Sequence, residues 1–131
     1  MNAPHDFRTP LKRAKGLGSA KSGTGHFLRQ RVTAIIIVLA GVYLLGLLLG
    51  LTGADYATAR AIVADPLNAT VLVAFIAAMF WHAKLGLQVV IEDYVHDPLP
   101  AGVLHMANIV ICALAGIAGV FAVVRIALSG A

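Results

Sequence analysis

The stretch from Leu67 to Ile91, LNATVLVAFIAAMFWHAKLGLQVVI, decides the fold, because His82 and Lys84 are its only ionisable side chains. A helix rises about 1.5 Å per residue, so this run is long enough to cross the roughly 30 Å hydrocarbon core of a bilayer. Two other runs behave alike. Val32 to Gly53 carries no ionisable group except Tyr43, and Val103 to Leu128 carries only His105 and Arg125. A soluble three-helix bundle would need a polar face at helical spacing, which none of these runs has. The composition agrees: 60% of the 131 residues are hydrophobic and 12% charged, against about 25% charged in soluble domains, and mean hydropathy is +0.87. The expected fold is therefore all-α and integral to a membrane. It has three transmembrane helices at about 32–53, 67–91 and 103–128, in a unit running from 26 to 131.

Arg8, Lys12, Arg13, Lys15, Lys21, Arg29 and Arg31 precede the first span, seven of the ten basic residues in the chain. Lys and Arg beside span ends set topology, so the N-terminus is expected in the cytoplasm, or on the equivalent matrix side, and the C-terminus on the opposite, periplasmic side; a bacterial inner membrane is expected ahead of a mitochondrial one. Residues 1–25 read as a flexible basic arm with interspersed Gly and Ser, lying against the membrane surface. The arm and the apolar run behind it are both too long for a secretory signal. No nucleotide-binding, hydrolase or zinc motif occurs and no nucleic-acid partner is expected. The lone Cys112, in mid-span, excludes an internal disulfide or thiolate site and reads as a small apolar filler.

Punctuation frames the spans. Asp65-Pro66 supplies an N-cap and a Pro at the first helical position of span two, and Pro98 and Pro100 break the chain before span three. Gly46 and Gly50 form a GxxxG pair in span one, and Ala115 and Gly119 repeat that spacing in span three; both permit close helix approach.

Ionisable groups inside hydrocarbon are costly and point to function. His5, His96 and His105 read as arm, loop and interface residues. His82 is different, about 14 Å inside the inner boundary. Its residue type leaves two readings, a core histidine bonded to a neighbouring helix and an axial ligand to haem iron. Gly86, one turn on, removes a side chain where a flat macrocycle would lie. Asp93 follows His82 by eleven residues, which on a helix is within about 20° of the same face and about 16 Å further along. Tyr94 stands beside it at the membrane edge. A polar helix end with an interfacial aromatic is the plain alternative for that pair. His105 is only about 6 Å in from the inner edge and His26 is shallower, so no second histidine matches the depth of His82. A six-coordinate haem would have to be shared with another chain.

His82-Ala83, Gly86 and Asp93-Tyr94, together with His26 and Arg31-Val32-Thr33-Ala34 at the entry to span one, resemble the smaller hydrophobic membrane anchor of succinate dehydrogenase, respiratory complex II. The resemblance covers about Gly25 to the C-terminus. It implies that His82 ligates haem b, with the second ligand from a larger cytochrome b anchor subunit. It also implies that Tyr94 and Asp93 lie at the ubiquinone pocket, Tyr94 donating to a quinone carbonyl and Asp93 orienting the site or supplying protons. His26 and Arg31 would stand near the haem propionates, where a cation can pair with a carboxylate. Lys84 departs from the family pattern; it points about 200° from His82 and is expected to snorkel or to meet a partner's polar group.

The resemblance implies an enzyme subunit without a dehydrogenase active site of its own. A flavoprotein subunit would oxidise succinate, an iron–sulfur subunit would carry electrons to ubiquinone, and this chain would hold the latter to the membrane lipid and wall the quinone site. Two alternatives stay open: an anchor of a fumarate reductase or other haem b quinol-oxidising complex, and a non-redox membrane scaffold in which His82 is structural.

Overall fold

The computed structural model describes residues 9–11 and 23–129. Most of the expected arm, with His5 and the basic residues before Arg29, lies outside the described residues. Four helices follow in order: α1 (Gly23–Gly50), α2 (Tyr56–Ala64), α3 (Pro66–Tyr94) and α4 (Pro98–Ser129). Three of them, α1, α3 and α4, are long and apolar enough to cross a membrane, and no strand occurs among the described residues.

Local chemistry explains the boundaries. Asp65 is the N-cap of α3, accepting hydrogen bonds from the Leu67 and Asn68 amides, with Pro66 in the first turn where its missing N–H costs nothing. Gly53 takes a positive φ of 84° in the turn that leaves α1. The three spans are longer than hydropathy marks. The helix of span one starts at Gly23 rather than near 32, taking in Gly23–Gly25 from the end of the expected arm, and stops at Gly50. Pro98 and Pro100 sit inside the first turn of α4 instead of breaking the chain before it. At about 1.5 Å per residue each spanning helix exceeds 40 Å, so its ends pass beyond the hydrocarbon. Polar end turns can be helical without being apolar, which is why hydropathy misses them.

The connection 51–65 contains α2, which the sequence reading does not anticipate. Asp55 caps it through the Thr58 amide at 2.9 Å, and these hydrogen bonds hold the Asp55 carboxyl below the usual carboxylate range. Arg60 on α2 donates to the main-chain oxygen and hydroxyl of Ser129 at the end of α4, at 3.1 and 2.8 Å. Asn68 donates to the Ile62 carbonyl at 2.8 Å and accepts from the Tyr43 hydroxyl at 2.6 Å. These bonds tie one end of the spans together.

The spans lie side by side with α3 in the middle. Helix α3 packs on α1 and on α4, while α1 and α4 do not touch. Leu85 of α3 is the most buried large side chain, at 2% exposed. The close approaches are at Gly41 against Phe75, Gly116 against Phe80, and Gly119 against Ile76, where an added Cβ would lie 3.6, 3.4 and 3.0 Å from the facing side chain. The Gly46–Gly50 pair, expected to bring helices together, faces open space. In span three the tight positions are Gly116 and Gly119, with Ala115 half-buried beside them.

Candidate functional site

Paired contacts fix relative depth along the helices. Thr33 faces His82, Gly41 faces Phe75 and Tyr43 bonds Asn68, so α1 and α3 run antiparallel. Across the other interface Ile76 meets Gly119, Phe80 meets Gly116, and the Asn108 amide donates to the Lys84 carbonyl at 2.9 Å.

His82 lies half-buried in the middle of α3, twelve residues before its end at Tyr94. Its Nδ1 is 3.0 Å from the Thr33 hydroxyl of α1. Its Nε2 makes no hydrogen bond among the described residues. The single buried side-chain polar atom without a partner among them is His26 Nε2, so His82 Nε2 is not sealed inside the described residues. A Cβ added at Gly86 would meet nothing within 4 Å. Around His82 there is thus an unengaged ring nitrogen and, one turn on, clear space on the same side of the helix.

No other imidazole of the described residues shares that depth. His26 precedes Thr33 by seven residues, which puts it about 10 Å nearer the Tyr94 end than His82. His105 precedes Asn108 by three, and Asn108 is level with Lys84, so His105 is about 7 Å nearer that end. It also sits on α4, which never touches α1.

Asp93 and Tyr94 close α3, about 16 Å from His82 along the axis. Both are exposed, Tyr94 to 80%, and neither makes a hydrogen bond within the described residues. His26 and Arg31 are not brought together: five residues on a helix separate them by about 140°. His26 is half-buried with its Nε2 orphaned, on the same face as Thr33. Arg31 is exposed, its guanidinium 4.9 Å from the Phe27 ring centroid, a cation–π contact.

Lys84 snorkels along its own helix. Its ammonium donates to Gln88 Oε1 at 2.9 Å and Gln88 Nε2 donates to Glu92 Oε1 at 2.9 Å. A row at four-residue spacing therefore links a cation inside the span to an acid at its end. Opposite, Asn108 is 7% exposed and accepts from the Cys112 thiol at 3.4 Å. Cys112 is buried, as an apolar filler would be, and its thiol is also a weak donor to the Asn108 amide oxygen. Sequence reading overlooks Asn108 and the Lys84 row, although the i, i+4 spacings of Lys84, Gln88 and Glu92, and of Asn108 and Cys112, carry the signal.

The fold and these side chains define a class: a three-span membrane protein with a mid-span imidazole whose Nε2 is unengaged and an acid–phenol pair at the end of the same helix. Residues 5–123 match the family described as succinate dehydrogenase/fumarate reductase transmembrane subunit, and the chain belongs to that family. It is similar to the succinate dehydrogenase hydrophobic membrane anchor subunits of Rickettsia bellii (strain RML369-C), at 43% identity over 70% of this chain and 73% of the relative. That of Rickettsia conorii (strain ATCC VR-613 / Malish 7) is 39% identical over 70% and 73%, and that of Rickettsia felis (strain ATCC VR-1525 / URRWXCal2) is 36% identical over 70% and 72%. No solved structure matches the chain significantly.

Proposed function

We propose that this chain is the smaller membrane anchor of a succinate:quinone oxidoreductase in a bacterial inner membrane, with its N-terminus cytoplasmic and its C-terminus periplasmic. It holds an iron–sulfur subunit, and through it a flavoprotein subunit, to the bilayer. His82 would hold the iron of a haem b, together with a residue supplied by a larger anchor subunit. The observation that carries this reading is the mid-span His82, with Nε2 unengaged and no second imidazole of the described residues at its depth. The residues present fit the group: a neutral imidazole in an apolar span suits haem iron, the space beside Gly86 is clear, and the orphaned His26 Nε2 suits a propionate. Bound there, haem would supply a one-electron carrier. Arg31, stacked on the Phe27 ring, keeps its guanidinium N–H groups free to pair with a propionate.

At the end of α3, the Tyr94 and Asp93 side chains are exposed with no partner among the described residues, as a wall of a pocket completed by other subunits would be. Tyr94 donates its phenolic hydrogen bond to a ubiquinone carbonyl. Asp93, open to water at the membrane edge, orients the site and relays the protons that quinone takes up with its electrons.

A reduced-minus-oxidised absorption spectrum of the purified complex tests the core of the reading. A b-type band is expected, and His82→Ala should alter or abolish its low-spin form. An unchanged bis-histidine signature in that variant would remove His82 as a ligand, and no band in the wild type would leave a non-redox scaffold.

A further inference from the structure

The Thr33 hydroxyl has three polar atoms within reach: the Arg29 carbonyl at 2.9 Å, the Gln30 carbonyl at 3.0 Å and His82 Nδ1 at 3.0 Å. It has one proton to give and two lone pairs to offer. Two arrangements are open. If the hydroxyl donates to Nδ1, the ring proton sits on Nε2, the contacts to both carbonyls lapse, and an N–H donor projects from α3 with no acceptor among the described residues. If the hydroxyl donates to the carbonyls, as a helical Thr does, its oxygen accepts from Nδ1–H, every donor is satisfied, and Nε2 keeps its lone pair. The second arrangement makes more bonds and strands none. In a span, where water does not rescue an unpaired donor, that difference decides.

We infer that Thr33 is a positioning residue for His82: it holds the ring in the Nδ1–H tautomer, fixes its orientation from the neighbouring helix, and presents Nε2 as the free electron pair. The inference rests on the proposed haem ligation and names what prepares the ligand for it. A hydrogen bond accepted from the far nitrogen of a ligating histidine raises the ligand's basicity, so Thr33 also favours the oxidised iron. Arg29 and Gln30 take part through their carbonyls alone, so the device needs only a hydroxyl at position 33, one turn after them.

The test uses the whole complex carrying Thr33→Val, which keeps the branched shape and loses the oxygen, and Thr33→Ser, which restores the hydroxyl. In Thr33→Val the haem midpoint potential should rise, the low-spin signals should broaden or shift, and haem should be lost about ten- to a hundredfold more readily on detergent challenge. Thr33→Ser should return all three toward wild type. Wild-type potential and haem retention in Thr33→Val would overturn the inference, as would Thr33→Ser behaving like Thr33→Val, since the methyl group would then be what matters. Should Thr33→Val fail to assemble, Thr33→Ala is read in the same way against Thr33→Ser. The two levels separate cleanly. A haem that responds to His82→Ala but not to Thr33→Val keeps the haem reading and removes this one, whereas indifference to His82→Ala removes both.

Discussion

Tyr94→Phe removes a single oxygen from a side chain that is 80% exposed and unbonded among the described residues, so their packing loses nothing by it. Any defect then reports on what the hydroxyl touches in the complex. A hydrogen bond to a quinone carbonyl in a partly desolvated pocket is worth about 1–3 kcal/mol, and about 1.4 kcal/mol is a factor of ten in rate. Quinone-dependent turnover should therefore fall roughly ten- to a hundredfold, while succinate oxidation with a soluble artificial acceptor stays near wild type. Asp93→Asn should impair the same half-reaction and change its pH profile; wild-type quinone kinetics in both variants would leave the pair a plain interfacial helix end. His82, Asp93 and Tyr94 are legible in sequence because they share one helix, where angle and rise follow from counting residues. Thr33 is not, because its contact with His82 spans 49 positions and two helices. The resemblance puts His26 and Arg31 in one neighbourhood, whereas residue counting turns them about 140° apart on their helix.

Helix contacts sort the glycines that motif spacing treats alike. At Gly119 a new Cβ would lie 3.0 Å from Ile76 Cγ2, so Gly119→Leu overpacks the α3–α4 interface and should cost about 1–3 kcal/mol. Thermal unfolding of the assembled complex should register that loss. Gly46→Ala meets open space in this chain and should leave its packing intact; a lower melting temperature there would instead mark position 46 as a contact with another subunit. At α2 the sign of a pH effect follows from the Asp55 cap. Its folded pKa is depressed, so the cap's contribution is present above the ordinary carboxylate range and is lost as pH falls through the depressed value. Asp55→Ala should make the 51–65 connection easier to cleave with added protease at neutral pH, and the difference from wild type should vanish in acid. The Asp65-Pro66 start of α3 was legible because capping is local chemistry. Helix α2 was not, since nine residues of moderate apolarity between two spans give no hydropathy peak and their order comes from Asp55 and the Arg60–Ser129 bonds.

At the scale of the whole chain, three spans and their order were readable from apolar length, but their arrangement was not. Hydropathy counts helices without saying which of them touch, and small-residue spacing pointed to Gly46 and Gly50, which have no neighbour here. The arrangement has a consequence. With α3 flanked by α1 and α4, and those two apart, the three described spans form an open layer rather than a closed bundle. In a bilayer its apolar faces can rest on lipid, but His82 Nε2 and the Asp93–Tyr94 end need polar or metal partners that the described residues do not supply. Expressed alone, it should accumulate poorly and carry far less than one haem per chain, because His26 and His105 lie about 10 and 7 Å from the depth a second axial nitrogen must occupy. Co-expression with the larger anchor subunit should restore haem, measured as the ratio of haem to protein after purification. One haem per isolated chain, with a mass showing a monomer, would require two ligands inside this layer and would overturn the shared-ligand proposal. One haem per two chains, in a dimer, would instead place a second copy of His82 opposite the first.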